Sequence, residues 1–419
     1  MLKEMLKAVI VNISWWYVGK YQKKFSPIVI GVAGSIGKTG TKRVIAKTLE
    51  ASKRVAWQDG NYNDIVTVPL IFFGQKEPSV YNPIGWMLVF FHMTLGLYTK
   101  TPAEIVVVEL GTDSPGQIAN FNDRIILDYA VVTAISYEHM QNFTDIHHVA
   151  QEELSIAKYS KKLYIGKQIE DDGFASKLPD YSTYGGSNKD RLSVSYSSQD
   201  VKVKSEDNSY SFKTKLAGPH QFDSLVISIE LAEKLGISKE KIILALEAIT
   251  PMPGRMQLLS GKDSSLLIDD TYNSSPEAVK AALDYLYARK QNHKIAVLGN
   301  MNEMGDISKQ LHTEVGEYCD PVKLSEIITI GPDANEYLAE AATKVGCKVR
   351  TMNSPIEIGN YLAGLDLKDH AILFKGSQNK VFLEEAVKLV LNNPEDKSKL
   401  VRQSSYWLAE KSKQFEGIK

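Results

Sequence analysis

Residues 28–41 read Ile28-Val-Ile-Gly-Val-Ala-Gly-Ser-Ile-Gly-Lys-Thr-Gly-Thr41, an apolar run, then spaced glycines, then Lys38-Thr39. The pattern predicts a short buried strand from Pro27 to Val32. Gly31, Gly34 and Gly37 are then expected to let the chain turn tightly, and Lys38-Thr39 to open a helix with Ile45 and Leu49 on its inner face. This is the order of parts in a phosphate-binding loop. Backbone N–H groups at a helix N-terminus cradle phosphate oxygens, the lysine neutralises them, and the threonine hydroxyl ligates Mg²⁺. Val32 stands where a strict Walker pattern has glycine, so the spacing is the variant Gly-x-x-Gly-x-x-Gly-Lys-Thr. The rival reading is a glycine-rich turn without a nucleotide, which would not need the strand before it and the helix after it. The nucleotide-binding candidates are therefore Gly34, Ser35, Gly37, Lys38, Thr39 and Gly40.

Outward from this loop, Ile105-Val-Val-Val-Glu-Leu-Gly111 reads as a buried parallel strand with Glu109 near its carboxyl end. A carboxylate there is costly unless it meets a cation, and that end of a P-loop sheet faces the phosphates. Glu109 is accordingly a Mg²⁺ ligand candidate. A further strand, Tyr129 to Ile135, runs into Ser136-Tyr-Glu-His-Met140, which leaves His139 just past a strand end on the ligand face. Val149 to Lys158 reads as a helix whose Glu152, Glu153 and Lys158 would, by themselves, be a solvated face. The polar stretch Gln58 to Pro69 reads as a loop.

Composition sets the frame. At 419 residues with 43% hydrophobic side chains, two to three globular domains are expected. The 49 basic residues balance 50 acidic ones, so nothing global points to nucleic acid. Cys319 and Cys347 are the only cysteines and have no neighbours at metal-ligand spacing, which fits a cytoplasmic protein. Two apolar stretches stand out. Met1 to Phe25 carries Trp15, Trp16 and five lysines, and Ile84 to Tyr98 carries Trp86, Phe90 and Phe91 with Lys100 at its edge. The uninterrupted apolar run of the first and the whole of the second are too short to span a bilayer, and no cleavage site follows the first. The plain reading is two helices packed on the domain. The sharper one is peripheral contact with the inner face of a membrane, or a wall that binds an acceptor, since aromatics and lysines together favour the headgroup region.

Residues 190–216 alternate as small antiparallel edge strands do, and helices follow near Asp223 to Lys234 and Lys239 to Ala248. Pro251-Met-Pro-Gly-Arg-Met256 marks the best domain boundary. Beyond it, strands near 266–268, 294–298, 326–330, 348–351 and 371–374 alternate strictly with helical segments. The fold class is thus α/β: a P-loop NTPase-type central domain with a mainly parallel sheet at 27–250, and a C-terminal Rossmann-like doubly wound domain at 251–419. The N-terminal apolar and basic segment, 1–26, precedes both.

The ordered set Gly34-Ser-Ile-Gly-Lys-Thr, Gly60-Asn-Tyr-Asn-Asp-Ile, Glu109-Leu-Gly, His139, Gly218-Pro-His, Pro253-Gly-Arg-Met, Asp269-Asp-Thr-Tyr-Asn-Ser-Ser-Pro, Val297-Leu-Gly-Asn-Met-Asn-Glu-Met-Gly and Lys375-Gly-Ser resembles the Mur ligase family. Within that family it is most similar to the branch that adds D-alanyl-D-alanine to UDP-N-acetylmuramoyl-tripeptide. The resemblance implies an ATP-dependent amide-bond ligase of peptidoglycan synthesis working through an acyl phosphate. Its substrates would be an acidic peptide or nucleotide-sugar-peptide acceptor and an amine such as D-Ala-D-Ala, with the chain acting as a monomer. By the same resemblance Lys38, His139, Glu153 and Arg255 would be catalytic, Asp270 and Asn273 would hold the nucleoside of ATP, and Thr39, Glu109, His139 and Glu153 would hold Mg²⁺.

Four departures qualify the implication. Glu153 falls where the family has a carbamylated lysine; it offers the same charge and oxygens, with Lys158 as the rival. Gln221 and Ser224 replace an expected asparagine pair, and Gln378 an arginine. Only the segment 1–26 precedes the loop, where the branch has a UDP-sugar-binding domain, so the acceptor is open. The competing readings are a ligase of the folylpolyglutamate synthase type and a nucleotide-binding scaffold without catalysis.

Overall fold

A computed structural model of the chain describes residues 2–60, 62–185, 192–195, 199–205, 208–378 and 381–415. Asn61 of the polar loop, Asn379 after the Lys375 motif, and parts of the alternating stretch 190–216 lie outside the described residues.

The first half of the chain runs α1 (Leu2–Phe25), β1 (Ile28–Ala33), α2 (Lys38–Leu49), β2 (Val55–Ala56), α3 (Val68–Ile71), α4 (Pro83–Gly96), β3 (Ile105–Glu109), β4 (Leu127–Val132), α5 (Ile146–Leu154), β5 (Ser160–Gly166), α6 (Lys167–Asp171) and β6 (Ser182–Tyr184). These strands form one parallel sheet in the order β2-β3-β1-β4-β5-β6. The strands at its centre are mainly apolar because helices cover both faces, with Glu109 in β3 and Asp128 in β4 as the acidic exceptions, and each fully buried Val or Ile there contributes about 1.5–3 kcal/mol. Register decides the site. Val32 pairs with Glu109 and Ala33 with Val132, so the carboxylate and the β4 exit flank the loop that leaves β1.

Several expectations need correction. Gly31 lies inside β1 rather than in a turn; a Cβ there would sit 2.5 Å from the Leu127 side chain, so it is glycine for close packing. β4 stops at Val132, three residues early. The helix expected through Lys158 ends at Leu154 and tightens into a 3₁₀ turn over Ser155–Tyr159, which leaves Lys158 exposed. Glu152 and Glu153 are no solvated face: both are buried. β2, β5 and β6 were not foreseen.

β7 (Leu192–Ser195), β8 (Asp200–Lys204) and β9 (Ser209–Lys213) form an antiparallel sheet of their own, not an edge of the main one. α7 (Pro219–Lys234) and α8 (Lys239–Ala248) follow, and α2 packs on α7 through a core that includes Val44, Ile45, Leu225 and Ile229. On the other face α1, α3 and α4 share a core with Val29, Val106 and Val108.

The second half comprises β10 (Gln257–Ser260), β11 (Leu266–Asp270), α9 (Pro276–Tyr287), β12 (His293–Gly299), α10 (Ser308–Tyr318), β13 (Glu326–Ile330), α11 (Ala339–Lys344), β14 (Val349–Met352), α12 (Pro355–Ala363), β15 (His370–Lys375), α13 (Glu384–Val390) and α14 (Ser405–Phe415). The sheet order is β10-β11-β15-β12-β13-β14. It is parallel except for the edge strand β10, which pairs antiparallel to β11, so the alternation is not strict.

Candidate active site

The loop between β1 and α2 has two glycines in the left-handed region, Gly34 (φ 119°) and Gly37 (φ 87°). Gly34 admits no side chain, since a Cβ would lie 2.3 Å from Thr133 Oγ1. Its N–H donates to Glu153 Oε2 at 2.6 Å, and the Ser35 N–H donates to the Ala134 carbonyl at 2.7 Å. At the loop's end the Thr39 hydroxyl donates to Glu109 Oε1 at 3.1 Å.

Four acidic side chains crowd this point. Lys38 Nζ lies 3.4 Å from Glu138 Oε2 and 3.9 Å from Glu153 Oε1. Burial pulls its pKa down, but Glu138, Glu153 and Glu109 together outweigh burial and hold the ammonium above its ordinary value. Glu153 goes the other way: burial pushes its carboxyl up to about 7 against the pull of Lys38. Glu109 is paired with Lys42, whose Nζ lies 3.0 Å from Oε2 and donates to the Gly60 carbonyl at 3.1 Å. Glu152 accepts the N–H groups of Gly116 and Ile118, so it holds the loop after β3.

His139 sits in the left-handed region at φ 52° and bridges the two halves of the chain. Its Nδ1 lies 2.6 Å from Glu303 Oε2, its Nε2 lies 3.2 Å from Asp113 Oδ1, and the Met140 N–H donates to the Glu303 carbonyl at 2.8 Å. Burial lowers its pKa, but Glu303, Glu138 and Asp113 outweigh that and raise it. Both ring nitrogens therefore face carboxylates, which is the arrangement of an imidazolium clamp between the two halves of the chain.

Across the cleft, Asp270 Oδ2 lies 2.7 Å from Lys375 Nζ, which also donates to the Asn273 carbonyl at 2.9 Å. The Arg255 guanidinium stacks over the Tyr272 ring at 4.1 Å. Gln221 donates to the Arg255 carbonyl at 2.6 Å and Ser224 to the Gln221 carbonyl at 2.5 Å, so both members of the pair that replaces the expected asparagines donate to backbone carbonyls. His220 is held neutral, its pKa lowered to about 4 by burial and then by Lys375, and its buried Nε2 has no hydrogen-bond partner. Ser35, Gly37, Gly40, His220, Arg255, Asp270, Asn273 and Lys375 all line one cleft between the two sheets.

The structure thus gathers Glu109, Glu153 and His139 around Lys38 and Glu138 beside the loop; the loop and Glu138 line one side of the cleft, the other three lie behind that lining, and Arg255, Asp270 and Asn273 line it as well. It excludes Lys158, which is exposed. The sequence reading missed Lys42, and it gave no role to Glu138, His220, Glu303 and Lys375, which lie within stretches it singled out. Lys42 had a signal, since it follows Lys38 by four residues and so shares its helix face. Among the described residues no three His, Cys, Asp or Glu side chains converge as a ready-made metal cage. A hard cation would fit only with phosphate and water oxygens completing its shell, the usual way of Mg²⁺, and the Thr39 and Glu109 oxygens suit it.

A P-loop on the first sheet and an Asp-Lys-Arg wall on the second define the chain as a two-domain nucleotide-binding α/β protein. The family model for the Mur ligase middle domain matches residues 32–232, and that for the Mur ligase glutamate ligase domain matches 254–378. The chain belongs to the Mur ligase family. It is similar to the UDP-N-acetylmuramoyl-tripeptide–D-alanyl-D-alanine ligase of Bacillus subtilis, 27% identical over 396 residues that cover 89% of this chain and 78% of that one. The fold is similar to that of MurF ligase from Thermotoga maritima in complex with ADP, with TM-score 0.72, 24% identity, and coverage of 95% of this chain and 84% of that one. Folylpolyglutamate synthase from Mycobacterium tuberculosis is also similar, with TM-score 0.62, 18% identity, and coverage of 91% and 94%.

Proposed function

We propose that the chain is an ATP-dependent acid–amine ligase that adds D-alanyl-D-alanine to a UDP-N-acetylmuramoyl-tripeptide in peptidoglycan precursor synthesis. The carrying observation is that the P-loop and the Asp270-Lys375-Arg255 wall face each other across one cleft. The acceptor and amine follow the relatives that bear that name.

In this reading the loop N–H groups and Lys38 hold the β- and γ-phosphates, and Asp270 and Asn273 hold the nucleoside. Thr39 and Glu109 would hold Mg²⁺, with Glu153 in the role of a carbamate, and the ion would supply charge neutralisation at the phosphates. The acceptor carboxylate attacks the γ-phosphorus and ADP leaves. The amine then attacks the acyl carbon, phosphate leaves, and the ammonium proton passes to solvent. Arg255 would neutralise the transferred phosphoryl group from the far wall, and closure of the cleft keeps water from the acyl phosphate. ATP as the donor sets the reaction in the cytoplasm.

The test is ADP release by the full chain with UDP-N-acetylmuramoyl-tripeptide and D-Ala-D-Ala supplied separately and together. Release that needs both, with amide product found by mass spectrometry, supports the reading. Release that needs folate and glutamate instead would replace it with the folylpolyglutamate type, and release indifferent to any acid and amine pair would leave a nucleotide-binding scaffold.

A further inference from the structure

α1 and α4 each carry two apolar stripes, and only one of each is used in the core. The inner stripe of α1 includes Ile10, Trp15, Val18 and Tyr21, and that of α4 is Trp86, Val89 and Met93. The helices are joined by the hydroxyls of Tyr17 and Thr94, 2.6 Å apart, and by the stacking of Tyr17 on Phe90. Their outer stripes are open. Met5, Val9 and Trp16 on α1 are each more than half exposed, and so are Met87, Leu88 and Phe91 on α4. Ile84, Leu95 and Tyr98 extend the second stripe at helical spacing. α4 contains no Asp, Glu, Lys or Arg, so nothing on it compensates for this exposure. Two helices in direct contact, each with an open apolar face, present exposed apolar surface of the kind that marks a binding site.

Charge identifies the occupant. α1 carries Lys3, Lys7, Lys20, Lys23 and Lys24 against the single acid Glu4, although the whole chain is near neutral. Lys20 lies over the Trp16 ring and Lys24 over the Tyr98 ring, each ammonium at the rim of the apolar patch. An apolar floor, aromatic edges and a lysine rim match the layering of a bilayer surface: acyl chains below, then the headgroup boundary, then anionic phosphates. A second copy fits less well. A two-fold contact sets a surface against itself, so the lysines would meet lysines with only Glu4 to pair them. No helix is long and apolar enough to cross a membrane among the described residues, so the contact would be peripheral.

We infer that the outer faces of α1 and α4 form a docking surface for an anionic lipid bilayer, which goes beyond the ligase reading and does not depend on it. The surface is joined to the nucleotide end of the cleft. Trp15 donates its indole N–H to the Ile65 carbonyl at 2.9 Å, and the loop that holds Ile65 accepts the Gly111 N–H at Asn63 and the Lys42 ammonium at Gly60. A chain lying on lipid by α1 would therefore hold its phosphate-binding end at a fixed height above the headgroups.

The test is flotation of the full chain with vesicles of phosphatidylcholine alone and with vesicles rich in phosphatidylglycerol, alongside sedimentation velocity. Wild type should float with the anionic vesicles only. Trp16→Ser, Leu88→Ser and Phe91→Ser together should lower the partition coefficient by roughly tenfold or more. Lys20→Gln with Lys24→Gln, which leaves every apolar residue in place, should lower it by about fivefold per lysine. The substituted residues lie outside the core, so the melting temperature and the ADP-release rate without vesicles should not move. Wild type that stays unbound on anionic vesicles, or variants that float as wild type does, would overturn the inference. A wild-type dimer that the triple variant turns into monomer, with no lipid binding, would assign the surface to a second copy.

Discussion

Lys42→Met tests the charge arrangement beneath the nucleotide site. The Lys42 side chain is 0% exposed and its partner Glu109 2%, with Nζ 3.0 Å from Oε2. Methionine keeps most of the stem's volume and removes the charge, leaving a buried carboxylate with only the Thr39 hydroxyl beside it. Removing one partner of a buried pair costs about 3–5 kcal/mol. Lys38 belongs to the same cluster and feels Glu109, so the loss should fall at the low end, about 3 kcal/mol. For a domain of this size that is a fall in melting temperature of about 6–12 °C. Four of the five tryptophans, Trp15, Trp16, Trp57 and Trp86, lie in the first half of the chain and only Trp407 in the second, so tryptophan fluorescence on heating reads mainly the right domain. Glu109→Gln added to Lys42→Met should restore most of the loss, with a coupling of about 2 kcal/mol or more. A single variant within about 1 kcal/mol of wild type, or a double variant no better than the single, would refute the reasoning.

Three further outcomes follow from the same geometry. Lys38→Ala should lower kcat/KM by about 2–4 kcal/mol of transition-state stabilisation, read in the ADP-release assay; near-normal turnover would remove the loop from the mechanism. Glu153 has a folded pKa of about 7, above its ordinary carboxylate value, so its contribution to stability is present at acid pH and lost as pH rises from about 4.5 through 7. Glu153→Gln should therefore melt no lower than wild type at pH 8 without ligand, and up to about 3 kcal/mol more stably, while losing the response of activity to Mg²⁺; bicarbonate dependence of the wild type would instead implicate a carbamate. The His139 pKa is raised and that of Glu303 lowered, so the His139–Glu303 clamp should be at full strength between about pH 4.5 and 6.5 and lost as pH climbs through the raised His139 value. The melting difference between wild type and Glu303→Gln should close with rising pH, and a difference that stays constant would sink the clamp.

The parts of the site that could be read from the sequence are those whose geometry is local. Strand, glycines and Lys38-Thr39 are contiguous, and Glu109 ends a strand whose burial is written in its own apolar run. Glu153 against Lys158 turned on helix phase: a regular helix would carry both, but the 3₁₀ turn after Leu154 shifts the phase and turns Lys158 out. Lys42, Glu138 and Glu303 act through partners 67, 100 and 164 positions away, and no window along the chain shows such pairings. Gly31 looked like its neighbours Gly34 and Gly37 because sequence does not separate a glycine needed for positive φ from one needed for the Leu127 side chain. The helices α1 and α4 were legible as helices, but stripes that are apolar on both sides hide which one faces water.

The Gly34 N–H is aimed at Glu153, so the loop that should receive a phosphate already holds an acidic group of the protein's own, one that gains its full charge only above about pH 7. Glu109, Glu138 and Glu153 set three carboxylates against the two ammonium groups of Lys38 and Lys42. A bare triphosphate approaching that end of the cleft meets like charge, whereas one that carries a divalent ion brings the missing counter-charge with it. On the ligase reading, the acidic ring would favour the metal complex of the nucleotide over the free anion before any chemistry begins.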